Sequence, residues 1–323
     1  PMQVYFAPLE GVTDSIYRRA HHALFGGVSK YFIPFISPSE SLTFSSREQR
    51  AIAPEENAGI AAVPQLLTRD AGRFSAMTKL LADSGYSEVN LNLGCPSGTV
   101  TAKGKGSGML RDLNALRAFL DEIFRDSALP ISIKTRIGYQ SIEEWGPLLA
   151  LLNAYPASEM IVHMRTKAEF YRGRAHRELC AETAKALSVP FVYNGDLFTL
   201  EDCRAFEAEC PGARAIMLGR GLIANPALAE TFAGGETLTV ARLRAFHDRL
   251  LRDYTNLWPQ KAVLGHMQEI TQYMLTAFET PMKARKAVRK AKSIDAYLDA
   301  VNCAFDTLPL RASPGFYLNE IEF

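Results

Sequence analysis

The amino-acid sequence predicts an α/β protein, a (β/α)8 TIM barrel followed by a small C-terminal all-helical domain. Two observations lead to this prediction. Eight short apolar runs alternate with amphipathic stretches through the first two-thirds of the 323 residues, as expected for strands joined by helices. Beyond Ala229 the strand-like runs stop, and only helical periodicity continues.

The eight predicted strands are apolar runs of the kind found in buried parallel sheets. They cover Val4 to Ala7, Tyr31 to Phe35, Ile60 to Gln65, Glu88 to Leu93, Ile131 to Thr135, Met160 to His163, Phe191 to Asn194 and Ala215 to Leu218. Between them, the stretches Asp70 to Ser84 and Asp112 to Phe124 carry apolar residues on one helical face. The connection from the second strand to the third is the least regular.

The change in pattern divides the chain into three segments. Residues 1–233 are predicted to form the barrel, and a glycine-containing linker follows it. Residues 237–310 are predicted to form the helical domain, which is large enough for a small core of its own. Its predicted helices are Leu238 to Asp253, Lys261 to Ala277, Lys283 to Ala291 and Ile294 to Leu308. Residues 311–323 remain as a C-terminal tail.

Composition narrows the class of protein and the partners to expect. The net charge of +1 means that a nucleic-acid partner would have to contact a local patch. The five cysteines include no Cys-x-x-Cys pair, so we expect neither a disulfide framework nor a metal site. No apolar run approaches the ~20 residues of a membrane span. With no signal peptide visible after Pro1, we expect a protein of the reducing cytoplasm. No obvious assembly segment is visible either, so we expect a monomer.

The most informative segment follows the fourth predicted strand. Asn92-Leu93-Gly94-Cys95-Pro96 places an amide and a thiol at the strand end. Barrel enzymes do their chemistry at the carboxyl ends of strands, so Cys95 is a candidate catalytic residue, with a buried cysteine beside a turn as the alternative. The glycine-rich run from Ser97 to Gly108 is predicted to be a mobile loop. Its Lys103 and Lys105 either contact phosphate or are simply solvated.

Polar or turn-forming residues follow seven of the eight predicted strands. They are Pro8-Leu9-Glu10-Gly11, Gln65, Asn92 with Cys95, Lys134 with Arg136, His163 with Arg165, Asn194-Gly195-Asp196 and Gly219-Arg220-Gly221. Because the carboxyl ends of all barrel strands meet at one rim, we expect these residues to form a single site.

The glycine turns after strands seven and eight indicate a phosphate site. Barrels often bind phosphate there, through backbone N–H groups at short turns. Asn194-Gly195-Asp196 and Gly219-Arg220 would form this site, and for either motif taken alone a tight structural turn is the alternative. A planar ring would then cover the barrel mouth. Gln65 would pair with its carbonyl and imide groups, Lys134 would neutralise a reduced flavin, and His163 would bond the same edge.

Together these motifs resemble the tRNA-dihydrouridine synthase family. The resemblance rests on the order and spacing of Ala7 to Asp14, Asn92 to Pro96, Lys134-Thr135-Arg136, His163 to Thr166, Asn194-Gly195-Asp196 and Gly219-Arg220-Gly221. It covers the whole predicted barrel, and the helical tail only in outline. It implies a barrel that carries FMN, with a helical domain, and reduction of a tRNA uridine to 5,6-dihydrouridine with NADPH.

The resemblance also implies residue roles. The residues implied to hold FMN are Pro8, Leu9, Gln65, Lys134, His163, Asn194, Gly195, Asp196, Gly219 and Arg220. Asn92 would contact the flavin or the uracil, and Arg165 would face the substrate. In the implied reaction, a hydride passes from flavin N5 to uracil C6, and the Cys95 thiol gives a proton to C5. Cys95 should therefore not be strongly acidified, and the uridine must be turned out of the RNA.

The helical tail departs from the family pattern. Many relatives carry a basic, Trp-containing helix where this chain has Gly265 to Tyr273, which lacks both Lys and Trp. A later segment has six basic residues within ten positions and no acid: Lys283, Arg285, Lys286, Arg289, Lys290 and Lys292. A basic run is usually a solvated face, but the absence of acids favours phosphate binding here, with Lys286 and Arg289 as candidate tRNA contacts.

Two other functions stay open at this point. One is an FMN-dependent barrel oxidoreductase that acts on a free pyrimidine or another small unsaturated substrate. The other is a non-catalytic RNA-binding relative, against which the presence of Asn92, Cys95 and Lys134 argues. The sequence does not indicate which tRNA uridine would be reduced.

Overall fold

Eight parallel strands form a closed barrel in a computed structural model that describes residues 1–317. The strands are β1 Gln3–Phe6, β2 Val28–Ile36, β3 Ala62–Leu66, β4 Val89–Leu93, β5 Ile131–Arg136, β6 Met160–His163, β7 Phe191–Asn194 and β8 Ala215–Leu218. Each pairs with the next, and β8 pairs with β1. The predicted barrel is confirmed. Residues 318–323 of the predicted tail lie outside the described residues.

Strand β2 begins at Val28, three residues before its predicted start. The polar residues of this stretch hide the strand in the sequence. Lys30 pairs in register with Tyr5, and its ammonium group contacts Glu88 at 2.6 Å and Glu159 at 3.2 Å. A lysine is tolerated in a strand here because two carboxylates at the amino-terminal end of the barrel neutralise it.

Helices follow the strands along the chain, and the last two come after β8. They are α1 Ser15–Leu24, α2 Ser46–Ile52, α3 Ala71–Asp83, α4 Gly98–Ala102, α5 Leu113–Asp126, α6 Trp145–Leu152, α7 Cys180–Ala186, α8 Leu200–Glu209, α9 Arg220–Ala224 and α10 Leu228–Phe232. Short 3-10 turns occupy Pro54–Asn57, Gly106–Arg111, Ile142–Glu144 and Arg177–Leu179. The prediction of a loop over Ser97 to Gly108 is wrong, because most of this segment forms α4 and a 3-10 turn.

The C-terminal part is helical as predicted. Its helices are α11 Val240–Thr255, α12 Gln260–Leu275, α13 Met282–Lys290 and α14 Ile294–Thr307. Thr239 and Ser293 cap α11 and α14, since their hydroxyls accept backbone N–H groups in the first turn. No helix within the described residues is both long and apolar enough to cross a bilayer.

Apolar packing has two parts. A small cluster fills the inside of the barrel and comprises Tyr5, Ala7, Phe32, Val63, Ile161, Val192, Ala215 and Met217. A larger cluster surrounds the strands and continues into the helical part. There the ring of Phe246 on α11 meets the rings of Tyr17 at 5.4 Å and Phe25 at 5.5 Å. The helical part is therefore held to the barrel by apolar contact.

The C-terminal segment, residues 311–317, ties the helical part to the barrel a second time. The Arg311 N–H donates to the Ala277 carbonyl at 3.0 Å, and Phe316 N–H donates to the Phe198 carbonyl at 3.3 Å. A Cβ on Gly315 would lie 2.1 Å from the Phe198 oxygen, so only glycine allows this approach. The segment thus runs from the end of α12 to the loop after β7.

Candidate active site

The turn after β4 fixes the candidate thiol. The side-chain oxygen of Asn92 accepts the backbone N–H groups of Gly94 at 3.0 Å and Cys95 at 2.9 Å. An asparagine that bonds its own backbone two and three residues later shapes a tight local turn. Asn92, at the end of the strand, therefore sets where the Cys95 side chain leaves the rim.

A chain of side-chain hydrogen bonds crosses the barrel interior and ends at this turn. Ser132 Oγ donates to Glu88 Oε2 at 2.6 Å, and Asn90 Nδ2 donates to Ser132 Oγ at 2.8 Å. Gln65 Nε2 donates to Asn90 Oδ1 at 2.8 Å, and Asn92 Nδ2 donates to Gln65 Oε1 at 2.9 Å. Each amide is oriented by a neighbour on both sides, so the whole chain holds Asn92 in one orientation.

The glycine-rich segment is anchored on Cys95. Ser107 donates its backbone N–H at 3.1 Å and its hydroxyl at 2.9 Å to the Cys95 carbonyl oxygen. Gly106 has φ +57°, and a Cβ there would lie 2.8 Å from that same oxygen. Only glycine combines this backbone conformation with so close an approach.

The electrostatic surroundings keep the thiol protonated. Burial raises the pKa of Cys95, and the Ser97 backbone N–H and the Lys134 ammonium group oppose this shift only in part. The thiol therefore carries its proton at neutral pH. It is suited to donate a proton, whereas a nucleophilic cysteine needs a lowered pKa.

Lys134 stands next to Asn92 in the register of β4 and β5. Among residues 1–317, no group forms a hydrogen bond or ion pair with its ammonium nitrogen. Burial, together with the nearby Arg136 guanidinium, lowers the pKa of Lys134 to about 8. A partly buried cation without a partner is costly, so this position suits an electron-rich group of a ligand.

Arg136, which the sequence also places at the rim, supports the segment after β6. Its Nη1 donates to the carbonyl oxygens of Thr166 at 2.9 Å and Phe170 at 2.5 Å. Its guanidinium also lies 5.2 Å from the ring centre of Tyr171. These contacts fix the loop that carries Tyr171 over the barrel mouth.

Arg165 is 1% exposed, and protein groups occupy its guanidinium. It donates to His163 Nε2 at 3.0 Å and to the Gly173 oxygen at 2.6 Å, and it forms an ion pair with Asp196. Because a guanidinium only donates, His163 Nε2 accepts and the ring proton lies on Nδ1. Burial, reinforced by four nearby cations, keeps the pKa of His163 well below its usual value. The predicted substrate contact of Arg165 stays a prediction, while its observed contacts position His163 and Asp196.

Asp196 also holds Arg220, whose Nη2 donates to its carboxylate at 3.1 Å. The Arg220 guanidinium lies among three aromatic rings, 5.1 Å from Tyr171 and 5.2 Å from both Phe198 and Phe316. Such cation–π contacts restrict a long side chain to one position. Phe316 belongs to the C-terminal segment, so that segment helps to place the arginine.

The two predicted glycine turns come together beside the first strand. Gly195 has φ +141°, a conformation that only glycine adopts readily. A Cβ on Gly219 would lie 3.6 Å from a Leu9 methyl group, so the turns after β1 and β8 are adjacent. Pro8 and Leu9 are half-buried there, and Asn194 bonds a backbone oxygen of β8 at 3.0 Å.

Four cations form a second group at the rim, which we name the rim cation cluster: Arg69, Arg73, Lys103 and Lys105. Lys103 is exposed and Lys105 is half-buried. Burial and the other three cations lower the pKa of Lys105. Sequence reasoning missed Arg69 and Arg73, although both come shortly after the third strand.

The predicted basic patch on α13 is smaller than the sequence suggested. Lys286 and Arg289 are exposed, as expected. Arg285 is not part of the patch, because it is buried and its Nε donates to the Gln272 carbonyl oxygen at 3.2 Å. That bond joins α13 to α12. The exposed basic residues of this segment are Lys283, Lys286, Arg289, Lys290 and Lys292.

Sequence reasoning missed other residues of the site. Asn90 and Ser132 are polar residues at inward positions of otherwise apolar strands, and this pattern could have identified them from the sequence. Tyr171 is 50% exposed beside Arg136, Arg220 and His163, and an aromatic pair ahead of Gly173 marks it in the sequence. Phe316 carried no signal, since its position depends on how the last helices pack. Within the described residues, no group of His, Cys, Asp and Glu is arranged to hold a metal ion.

Comparison with known proteins agrees with this arrangement. The family described as dihydrouridine synthase (Dus) matches residues 5–304. The tRNA-dihydrouridine(16) synthase of Pseudomonas syringae pv. tomato is 31% identical over 73% of this chain and 76% of its own. That of Pseudomonas putida is 32% identical over 78% of this chain and 80% of its own.

A solved structure shares the fold. The old yellow enzyme homologue from Zymomonas mobilis superimposes with a TM-score of 0.53 at 14% identity, covering 73% of this chain and 90% of that one. At this identity the likeness concerns the barrel alone. The family match spans nearly all of both the barrel and the helical part, and the chain belongs to the dihydrouridine synthase family.

Proposed function

We propose that this protein reduces the C5–C6 double bond of a uridine in tRNA to 5,6-dihydrouridine, with Cys95 as the proton donor. The proposal rests on two groups at the same barrel rim. The Cys95 thiol is protonated, and the ammonium group of Lys134 has no partner among the described residues. Hydride addition to C6 of uracil leaves negative charge that a proton at C5 must neutralise. The thiol holds such a proton at neutral pH, and the turn that Asn92 shapes fixes where it leaves the rim.

The rim residues fit FMN. Lys134 Nζ and His163 Nδ1 have no hydrogen-bond partner within residues 1–317, so both remain available to a ligand at the barrel mouth. A flavin ring offers carbonyl oxygens and ring nitrogens to such donors. Gln65 keeps one amide N–H beyond the one given to Asn90. When bound, FMN would supply the hydride, with NADPH as the source of electrons.

A separate side chain is available for the phosphate group of FMN. Arg220 is the side chain at the turn after β8 that would bind the FMN phosphate, next to Gly195 and Gly219. It is already oriented by Asp196 and three aromatic rings, so little side-chain freedom would be lost on binding. Pro8 and Leu9 would cover the ring from the neighbouring turn.

We infer further that the uridine is the one at position 16. Both Pseudomonas relatives, at 31% and 32% identity, carry the name tRNA-dihydrouridine(16) synthase. Exposed Lys286 and Arg289 on α13, and the rim cation cluster beside Cys95, would contact tRNA phosphates on two sides of the reacting base.

The test is position-resolved mass spectrometry of unmodified tRNA after incubation with the protein, FMN and NADPH. We expect dihydrouridine at position 16 and no change at the other uridines. Dihydrouridine at another position would overturn the assignment of position 16 and leave the reaction intact. Reduction of free pyrimidines without any product in tRNA would overturn the proposed substrate.

A further inference from the structure

A cleft between the barrel and the helical part has no assigned role. Its volume is about 780 Å³, and the loops after β1 and β2 face the corner between α11 and α12 across it. We name it the interdomain cleft, with walls formed by Asp14, Phe35, Arg47, Arg50, Trp258 and His266. A space of this size holds a ligand as large as a nucleotide.

Two polar groups in the cleft, His266 and Asp14, are incompletely bonded. His266 Nε2 lies 3.8 Å from Asp14 Oδ2, too far for a hydrogen bond, and it is buried without any partner within residues 1–317. The other carboxylate oxygen of Asp14 accepts the backbone N–H of Tyr17 at 2.9 Å and the hydroxyl of Tyr254 at 2.8 Å. Buried polar atoms are normally satisfied, so the unpartnered His266 Nε2, beside the partly exposed Asp14 carboxylate, points to a ligand with polar edges.

Aromatic rings form the wall beside this pair. The Trp258 ring lies 5.0 Å from the His266 ring and 4.6 Å from the Tyr254 ring. Trp258 lies two residues before α12, the helix that contains the segment Gly265 to Tyr273 without Lys or Trp. The cleft therefore has a tryptophan after all, contributed by the turn that enters this helix. Flat aromatic surfaces next to polar edge groups are how proteins hold an unstacked base.

The mouth of the cleft carries free positive charge. Arg47 and Arg50 make no side-chain hydrogen bond or ion pair with any described residue. The neighbouring acid Glu48 is engaged in capping α2, where it accepts the Ser45 backbone N–H at 3.0 Å. The two guanidinium groups are therefore available for a phosphate.

The cleft continues to the catalytic rim. Glu10 lines it, and the carboxylate of Glu10 is near enough to Cys95 to contribute to the raised pKa of the thiol. A strand of RNA that delivers a uridine to Cys95 would therefore pass its adjoining nucleotide over this opening. No separate ligand is needed to account for a nucleotide-sized space at this position.

We propose that the interdomain cleft binds the nucleotide adjoining the reduced uridine, with its base against Trp258 and His266, its polar edge on the Asp14–His266 pair and its phosphate on Arg47 and Arg50. This rests on the proposed function, since it assumes an RNA substrate. The cleft would then select the sequence around the target, separately from the chemistry at Cys95.

Tryptophan fluorescence tests the proposal directly, because the chain has only two tryptophans. Trp145 is buried behind the barrel and donates to Thr183 at 3.0 Å, so Trp145→Phe leaves Trp258 as the reporter. Titration with unmodified tRNA should quench this emission to saturation. The same tRNA with an abasic residue next to the target uridine should bind about tenfold more weakly and quench little. Emission of Trp145 in Trp258→Phe should not change.

A second variant serves if Trp145→Phe does not fold. His266→Ala should raise the KM for intact tRNA about tenfold. It should raise the KM for the abasic tRNA only slightly, because the substitution and the missing base remove the same contact. The exposed His22→Ala is the matched control and should change neither value. Equal, additive losses on both tRNAs would overturn the proposal.

The outcomes also separate the two proposals. Dihydrouridine formed without quenching of Trp258, and without any effect of the abasic residue, would overturn the cleft and leave the reaction standing. Neither product nor quenching with any tRNA would overturn both.

Discussion

The side-chain oxygen of Asn92 accepts the backbone N–H of Cys95 at 2.9 Å, so one residue sets both the end of strand β4 and the position of the thiol. The amide nitrogen of Asn92 is in turn held by Gln65 at 2.9 Å. The geometry of the proposed proton donor thus depends on a chain of amides that runs back through the barrel.

Asn92→Asp tests this dependence. The carboxylate can still accept the Cys95 N–H but cannot donate to Gln65, so a buried acceptor faces another acceptor. We expect the turnover number with tRNA to fall at least about tenfold, while FMN remains bound. Steady-state kinetics and the flavin absorbance of the purified variant measure the two effects. An unchanged turnover number would show that the amide chain does not position the thiol.

Lys134→Met tests whether Lys134 lowers the stability of the flavin-free protein and strengthens the binding of FMN. In the flavin-free protein the buried ammonium group is unpartnered, and its pKa is lowered to about 8. Below pH 8 folding carries the cost of a buried cation, so methionine should stabilise the flavin-free protein by an amount on the order of 2 kcal/mol. The same change should weaken FMN binding, which flavin fluorescence measures.

The pH dependence gives a second check on Lys134. Between about pH 8 and 10.5 the unfolded chain holds the lysine proton and the folded chain has lost it, so the stability of the flavin-free native protein should rise across this window. Denaturant unfolding of the Lys134→Met variant should lack this contribution. If the free energies of unfolding of the native protein and the variant differ by the same amount from pH 7 to 10, Lys134 does not have the lowered pKa.

Phe316→Ala tests whether the C-terminal segment fixes Arg220. Losing the ring 5.2 Å from the guanidinium gives Arg220 more freedom, so we expect the Kd for FMN to rise about tenfold. Tyr317→Phe is the control, since it removes only the hydroxyl that bonds Ser313 in the same segment. Quenching of flavin fluorescence on binding reports Kd for both. Equal values for Phe316→Ala and the native protein would show that Arg220 needs no such support.

Charge reversal on α13 tests the tRNA contact. The double variant Lys286→Glu, Arg289→Glu should lose tRNA binding by more than about tenfold and flatten its salt dependence, because two phosphate contacts become repulsive. The double variant Lys185→Glu, Arg204→Glu, at exposed positions on α7 and α8, is the control with the same change in net charge. Filter binding at several salt concentrations measures the effect. If the variant and the control lose the same affinity for tRNA, α13 does not contact the tRNA.

The barrel was predictable because strand and helix periodicities differ and alternate cleanly through the first two-thirds of the chain. The start of β2 was not predictable, since a lysine is unusual in a buried strand. Lys30 fits there only because the fold brings two carboxylates next to it. Likewise the sequence places Arg165 at a strand end but cannot show that Asp196 turns its guanidinium inward. These are long-range pairings, which no local pattern contains.

The helical part shows the same limit. Its four helices were predicted from their apolar faces, whereas the burial of Arg285 depends on a carbonyl of α12 and the place of Phe316 depends on the Phe198 backbone. The interdomain cleft is also a product of packing, since Asp14 and His266 are 252 positions apart in a chain of 323 residues and meet only when α11 and α12 fold against α1.

The most direct test of the central claim is a single-turnover comparison of native protein and Cys95→Ala. Each is reduced with NADPH, freed of excess NADPH, and mixed with unmodified tRNA, and the return of oxidised flavin absorbance is followed without oxygen. Because a positioned acid contributes about a hundredfold or more, we expect the variant to react at least about a hundredfold more slowly with unchanged FMN content. Equal rates in the two proteins would contradict the account, since the thiol would then not be the proton donor.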